Sequence, residues 1–301
     1  MKDFQLTNKI ASIHLGKKSS GCNRYNPSLL VAVPRFENRK QYNIDNNNLP
    51  FDGWDIWHAY EFSVLCENGF PVTRVLKLRY KADSEFIVES KSLKLYLNSF
   101  NMTKFGTTVD ECLALCKSFI EKDLSEALKT SVEVSFLTNK VKKEEIFYNY
   151  IDLSSLINVS DLNITEFKES AELLNVYDMD SETKNFIYFD SLRSNCRVTH
   201  QPDFGDVFIY YNSSKHIEEA SLVKYLVSFR SEYHFHEECC EMIFKRLYDL
   251  LNDDDEIMVC ALYTRRGGID ISPVRWSKNC NPEEVDKIID LDRFVRFGIK
   301  Q

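Results

Sequence analysis

Glycine is scarce in this chain of 301 residues: there are nine, and none falls in a Gly-x-Gly-x-x-Gly or Walker-type loop. A dinucleotide or phosphate bound here is held without those cradles. No two cysteines have the spacing Cys-x-x-Cys. The nine lie scattered at positions 22, 66, 112, 116, 196, 239, 240, 260 and 280. That indicates neither a zinc ribbon nor a dithiol redox motif, and it fits reduced thiols in a cytoplasmic protein. Basic charge is also short. With 38 Lys and Arg against 46 Asp and Glu the net charge is −8, which argues against nonspecific binding to nucleic acid or anionic membrane. No apolar run approaches the length of a membrane span, and the N-terminal stretch MKDFQLTNKIASIHLG has no apolar signal-peptide core.

What is present is globular: 44% of residues are hydrophobic and 13% aromatic. WDIWHAYEFSVLC (54–66) and PVTRVLKLRY (71–80) read as strands, joined through ENGF as a hairpin. Thr108 and Glu111 form a capping-box pattern. Val109, Cys112, Leu113, Cys116, Phe119 and Ile120 then recur at helical spacing. SVEVSFLT (131–138) reads as a strand, with FYNYIDL (147–153) as its expected partner. The order repeats: a strand at 206–212, helices at 221–230 and 236–251, and strands at 256–264 and 269–276. Strand, helix, helix, strand, strand, met twice, suggests a duplicated α+β module. The Asn-, Asp-, Ser- and Glu-rich region 154–190 reads as the connector.

Four stretches hold residues suited to chemistry. In SNCRVTHQPDFG, Cys196 stands seven positions before Asp203. An isolated cysteine is usually an inert small hydrophobe, although Arg197 would favour its thiolate if turned toward it. Pro202-Asp203 is ordinary turn chemistry. In FHEECC (235–240), Glu238 suits the positive end of a helix dipole. Glu237 suits bidentate acceptance of two N–H groups from a guanine-like edge. Nothing near His236, Cys239 and Cys240 completes a zinc site. ESKSLKLYLNSF (89–100) reads locally as a polar-to-amphipathic transition with solvated lysines. In YTRRGGID (263–270), Arg265 and Arg266 beside Gly267 suit a phosphate.

Taken together these stretches resemble a known family. ESKSLKLY (89–96), continued by LNSFNMTKF (97–105), with SNCRVTHQPDFG (194–205), SFR…FHE (228–237) and YTRRGGIDI (263–271), is similar in content and order to the marks of the QueF family, the NADPH-dependent 7-cyano-7-deazaguanine reductases of queuosine biosynthesis. YNPSLL (25–30), VPR (33–35) and WHAYEFSVL (57–65) resemble its long, two-module form. The resemblance implies tandem tunnelling-fold modules, 1–155 and 156–301, with antiparallel sheets and helices on one face, assembled as a homodimer. It implies that Cys196 adds to the substrate nitrile as a covalent thioimide and that Asp203 donates the proton. Val88, Glu89, Ser90, His236 and Glu237 fall where the family holds the deazapurine. Ser90, Lys91, Arg266 and Gly267 fall where it contacts NADPH, with Lys91 and Arg266 available to the extra phosphate. No metal is implied, and the partner is a small molecule with no direct nucleic-acid or membrane contact. Phe204 departs from the tryptophan frequent in the family, and SEYH (231–234) departs from its usual polar stretch. Two rival readings stand beside this one: a zinc-dependent tunnelling-fold enzyme acting on a pterin or purine, and a non-catalytic purine-binding protein.

Overall fold

Eight strands of this chain share one sheet, although the sequence pattern suggests two modules. The computed structural model describes residues 5–14, 24–296 and 300; Cys22 and parts of the N-terminal stretch 1–16 lie outside them. The strands are β1 (Ala32–Pro34), β2 (Asp52–Leu65), β3 (Pro71–Lys81), β4 (Phe86–Val88), β5 (Val132–Leu137), β6 (Lys142–Glu145), β7 (Ile151–Asp152), β8 (Val176–Asn195), β9 (Pro202–Ile217), β10 (Glu256–Tyr263), β11 (Ile269–Trp276) and β12 (Arg293–Arg296). The helices are α1 (Gln5–Ala11), α2 (Phe36–Gln41), α3 (Ser90–Asn98), α4 (Val109–Leu128), α5 (Glu219–Ser228), α6 (His236–Tyr248) and α7 (Glu283–Ile289). The large sheet runs β5-β3-β2-β11-β10-β9-β8-β7. All its pairings are antiparallel except β7 with β8. β5, β3 and β2 come from the N-terminal half of the chain and β11, β10, β9 and β8 from the C-terminal half, with the two-residue β7 at the far edge. The halves join where β2 pairs with β11, Trp57 opposite Ile271.

Strand register decides which side each helix covers. Side chains alternate across a sheet, so Trp57, Ile271 and Val259 share one face, while Ile56, Val274 and Cys260 share the other. On the first face α3 and α4 pack over Trp57, Leu76 and Leu78, and α5 and α6 pack over Val259, Ile209 and Tyr211. The four longer helices thus lie on one face. The opposite face is closed by Phe147, Tyr150 and short α7, through Val285 and Ile288.

Local signals explain most elements. The Thr108 capping box forms in full at the start of α4, and Cys112, Cys116, Ile120, Leu124 and Leu128 make its buried stripe. Gly69, at φ 86°, turns the β2–β3 hairpin, a conformation that glycine adopts without steric cost. Two expectations fail. The stretch 147–153 is not the partner of β5. Phe147 sits at φ 63° and stacks on Phe208 at 4.0 Å, so the start of this run is a turn that plugs a core, and only Ile151–Asp152 is strand, paired with β8. The supposed connector ends early, because residues 176–190 belong to the long strand β8.

Beneath α6 lies a group of charges cut off from water. The Glu241 carboxylate accepts from Arg39 through Nε at 2.8 Å and Nη2 at 2.7 Å, and from Arg275 Nη2 at 2.9 Å. Asp55, on β2, pairs with Arg35 at 2.5 Å and Arg275 at 2.9 Å. All five side chains are at most 3% exposed. Burial alone would push the Glu241 carboxyl up, yet the three guanidinium groups hold it down at about 2. Its contribution to stability is therefore complete above the ordinary glutamate range and is lost as the pH falls toward 2. Glu241→Ala leaves buried guanidinium charge uncompensated. It should cost about 3–5 kcal/mol by denaturant unfolding at neutral pH, and a loss below about 1 kcal/mol would contradict this account of the cluster.

Candidate functional site

The spacing of Cys196 and Asp203 is that of a hairpin end. Strands β8 and β9 pair with Ser194 opposite Asp203 and Asn195 opposite Pro202. Cys196 therefore sits one residue past the paired region, beside the aspartate in space. The turn is closed by the Cys196 N–H donating to the Gln201 carbonyl at 2.8 Å, with His200 left-handed at φ 58°. The SEYH segment docks alongside: the Asn195 N–H donates to the Glu232 carbonyl at 2.8 Å, and the His234 N–H to the Asn195 carbonyl at 3.2 Å. Arg197 reaches toward α6. Its Nη2 lies 2.6 Å from Glu238, which also accepts from the Phe235 N–H at 2.9 Å. Glu238 is thus buried and ion-paired, more than an acid suited to a helix dipole, and with Arg197 it pins the cysteine turn to the start of α6.

A cavity of about 280 Å³ opens over this turn. Cys196, Asp203, His236 and Glu237 reach it from the C-terminal half; Val88, Ser90 and Lys91 reach it from the N-terminal half; Arg266 and Gly267 come from the β10–β11 turn. The structure thus brings together every expected site residue except Glu89. That side chain is wholly buried as the N-cap of α3, accepting from the Lys91 and Ser92 N–H groups at 2.8 Å each. It sets the position of Ser90 and Lys91 instead of lining the wall. Sequence reasoning passed over Trp57, Lys94, His234 and Phe235, which also line the cavity. Lys94 had a signal, since it lies one turn beyond Ser90 and Lys91 on the same helix. It ties α3 to the β10–β11 turn through the Gly267 carbonyl, and to Glu61 on β2 at 3.3 Å.

The charges in the wall are unevenly matched. Asp203 is ion-paired with Arg266, and its Oδ2 lies 3.5 Å from Nε2 of His236. Burial alone would raise its pKa, but hydrogen bonding and charge from His236 and Arg266 hold it below the ordinary aspartate value. The resting group is a carboxylate. The His236 ring stacks face to face on Tyr263, with centroids 3.8 Å apart, which fixes its orientation. Glu237 has the opposite fate. It is 2% exposed, its Oε1 is buried without a hydrogen-bond partner, and burial together with the nearby Asp55 charge pushes its carboxyl up to about 8. A buried acceptor left unsatisfied is costly, and a ligand N–H would relieve it. Exposed Gly267, at φ 60°, lets an anionic ligand approach the backbone beside Lys91, Lys94 and Arg266, so the donors present suit a dinucleotide. Among the described residues, no three His, Cys, Asp or Glu side chains are grouped to hold a metal ion.

Comparison with known proteins gives matches over both halves. A family model described as the N-terminal part of the nitrile reductase 7-cyano-7-deazaguanine reductase matches residues 22–136, and one described as QueF-like protein matches residues 202–282. The NADPH-dependent 7-cyano-7-deazaguanine reductase of Colwellia psychrerythraea is 36% identical over 280 residues, covering 92% of this chain and 96% of that protein. No helix among the described residues is long and apolar enough to cross a membrane.

Of the eight described cysteines, only Cys196 is not buried. Iodoacetamide on the native protein should therefore alkylate Cys196 ahead of the other seven, as read by peptide mass mapping. Modification of Cys239 or Cys240 at a comparable rate would show that the cavity is built differently.

Proposed function

Because the chain belongs to the QueF family of nitrile reductases, we propose that it reduces the nitrile of 7-cyano-7-deazaguanine to an aminomethyl group with NADPH, Cys196 forming a covalent thioimide. The observation that carries this reading is the single cavity in which Cys196 and the ion-paired Asp203 meet the unsatisfied Glu237 acceptor. Glu237 accepts the N–H groups of the deazaguanine ring, with Val88, Ser90 and His236 around it. Asp203, a carboxylate at rest, receives the Cys196 thiol proton as sulfur bonds to the nitrile carbon. It then delivers that proton to the nitrile nitrogen, so the thioimide forms with no net gain of protons. Two NADPH in turn, which Ser90, Lys91, Arg266 and Gly267 would hold, would each supply one hydride. After the first hydride and a proton, the C–S bond breaks as the nitrogen lone pair forms C=N and sulfur takes up the N–H proton, which restores the Cys196 thiol and leaves an imine for the second hydride and second proton. His236, in reach of Asp203, is placed to restore the proton that Asp203 gives up at each reduction.

The reading extends to a cytoplasmic homodimer of two-module chains, 1–155 and 156–301, that acts on a free small molecule without direct contact to nucleic acid or membrane. The net charge of −8 supports the last point, and one family match in each module supports the division. A purely binding role leaves the half-exposed thiol beside Asp203 without a purpose.

Cys196→Ala should abolish both the adduct seen by intact-protein mass spectrometry with 7-cyano-7-deazaguanine and the oxidation of NADPH, with an unchanged circular dichroism spectrum. Near-normal turnover would defeat the covalent route. The same variant isolates recognition. Glu237 is largely protonated at neutral pH in the free cavity, and N–H donors favour its ionised form. Binding should therefore release a proton below about pH 8 and tighten as the pH rises to that value. Calorimetry in buffers of different ionisation enthalpy measures this. Adding Glu237→Gln should remove the pH dependence and weaken binding about tenfold to hundredfold, the worth of a charge-assisted hydrogen bond. Undiminished affinity would put the purine edge elsewhere.

A further inference from the structure

We infer that the adenosine 2′-phosphate end of NADPH binds in a second cavity, on the face of the sheet opposite Cys196, held by Arg74, Lys143 and Arg265. The inference rests on the reductase reading above. It starts from space: about 280 Å³ is at the low end of ligand cavities, which run from roughly 300 to 1,000 Å³. That volume must already admit a deazaguanine and a nicotinamide, so the remainder of the dinucleotide leaves it. One exit is marked by shared walls. Arg266 lines both the catalytic cavity and an adjoining groove beside half-exposed Phe204. Its neighbour Arg265 lines both that groove and a further cavity of about 510 Å³. The three spaces follow one another around the β10–β11 turn.

Register shows that the turn is a crossing point. Ile269 and Ile271 line the catalytic cavity, so Asp270 between them faces the other way. The Tyr60 hydroxyl donates to Asp270 at 2.5 Å, and Tyr60 forms part of the second cavity wall with Phe294. Their rings meet edge to face with centroids 6.2 Å apart. Arg265 lies over Tyr60, 4.1 Å from the ring centroid.

Charge identifies the ligand. Acidic groups outnumber basic ones in this chain, and nearby cations are matched: Arg79 with Glu133, Lys142 with Glu144, and Arg293 with Glu144 and Asp290. Among the described residues, none of Arg74, Lys143 and Arg265 pairs with a carboxylate; Arg74 donates to the Thr73 carbonyl at 2.7 Å. Three unmatched cations around one cavity with two aromatic rings suit a phosphate dianion attached to a purine nucleoside. Arg266, in contrast, is held by Asp203 and Gln201. That places Arg266, with Lys91 and Gly267, at the nicotinamide and pyrophosphate end, and gives the extra phosphate to Arg265, Arg74 and Lys143 in place of the Lys91 and Arg266 that the family resemblance offered.

The test is an Arg74→Glu/Lys143→Glu double variant, assayed beside the wild type by NADPH fluorescence titration, steady-state kinetics and adduct mass. Affinity for NADPH should fall about tenfold to hundredfold, while NADH constants and adduct formation from 7-cyano-7-deazaguanine stay unchanged. Adenosine 2′,5′-bisphosphate should compete with NADPH in the wild type and lose its hold on the variant. Unchanged NADPH affinity, an equal loss for NADH, or inhibition not competitive with NADPH would each overturn the subsite. Absence of the adduct in the wild type would instead overturn the reductase reading, because adduct formation needs no cofactor.

Discussion

The buried charges around Glu241 hold this molecule to a single arrangement. They draw Arg35 and Arg39 from the N-terminal segment, Asp55 from β2, Arg275 from β11 and Glu241 from α6 onto one point. An ion cluster of this kind is a poor source of net stability compared with apolar packing, but it is intolerant of misalignment, because a lost partner leaves a bare charge. The junction of the two halves is therefore fixed where β2 meets β11. Trp57 and Ile271, which pair there, also line the cavity over Cys196. The site depends on this junction because its walls come from both sides of it.

The same cluster acts on the chemistry. Glu237, one position before Glu238 and one turn before Glu241 on α6, feels the negative charge of Asp55 and the positive charges of Arg35 and Arg275. Burial and Asp55 prevail, so the carboxyl waits protonated for a ligand. Asp203, at the cavity wall, faces Arg266 and His236 and stays ionised. Two carboxyl groups in one cavity are thus kept in opposite protonation states by different neighbours.

Much of this was legible in the sequence because it is local. The Thr108–Glu111 box, the alternation in β3 and the helical stripe of α4 depend on residues within a few positions of one another. The family was legible as short motifs in order, although local chemistry left Cys196 and Asp203 undecided. What escaped has physical reasons. The first part of β8 carries Asp178, Asp180 and Glu182 exposed on a ribbon reaching into solvent, so it lacks an apolar face and reads as a connector. Phe147 and Tyr150 look like a strand because burial, not alternation, selects them. Partners such as Arg197 with Glu238, or Arg39 with Glu241, are distant in the chain, and no spacing rule links them. Glu89 looked like a ligand residue, although its carboxylate caps a helix that carries two of the others.

The hairpin that sets Cys196 beside Asp203 also limits how the chain can change in length. Side chains on a strand alternate between faces, so slipping the pairing by one residue turns every one of them over. Of the five turn residues 197–201, Arg197 is anchored to α6 and Gln201 closes the loop on Cys196. Adding or deleting a single residue there would either break that closure or rotate Asp203 away from Arg266 and His236. The interval between cysteine and aspartate is thus a fixed length, and an insertion there is paid for in the site itself.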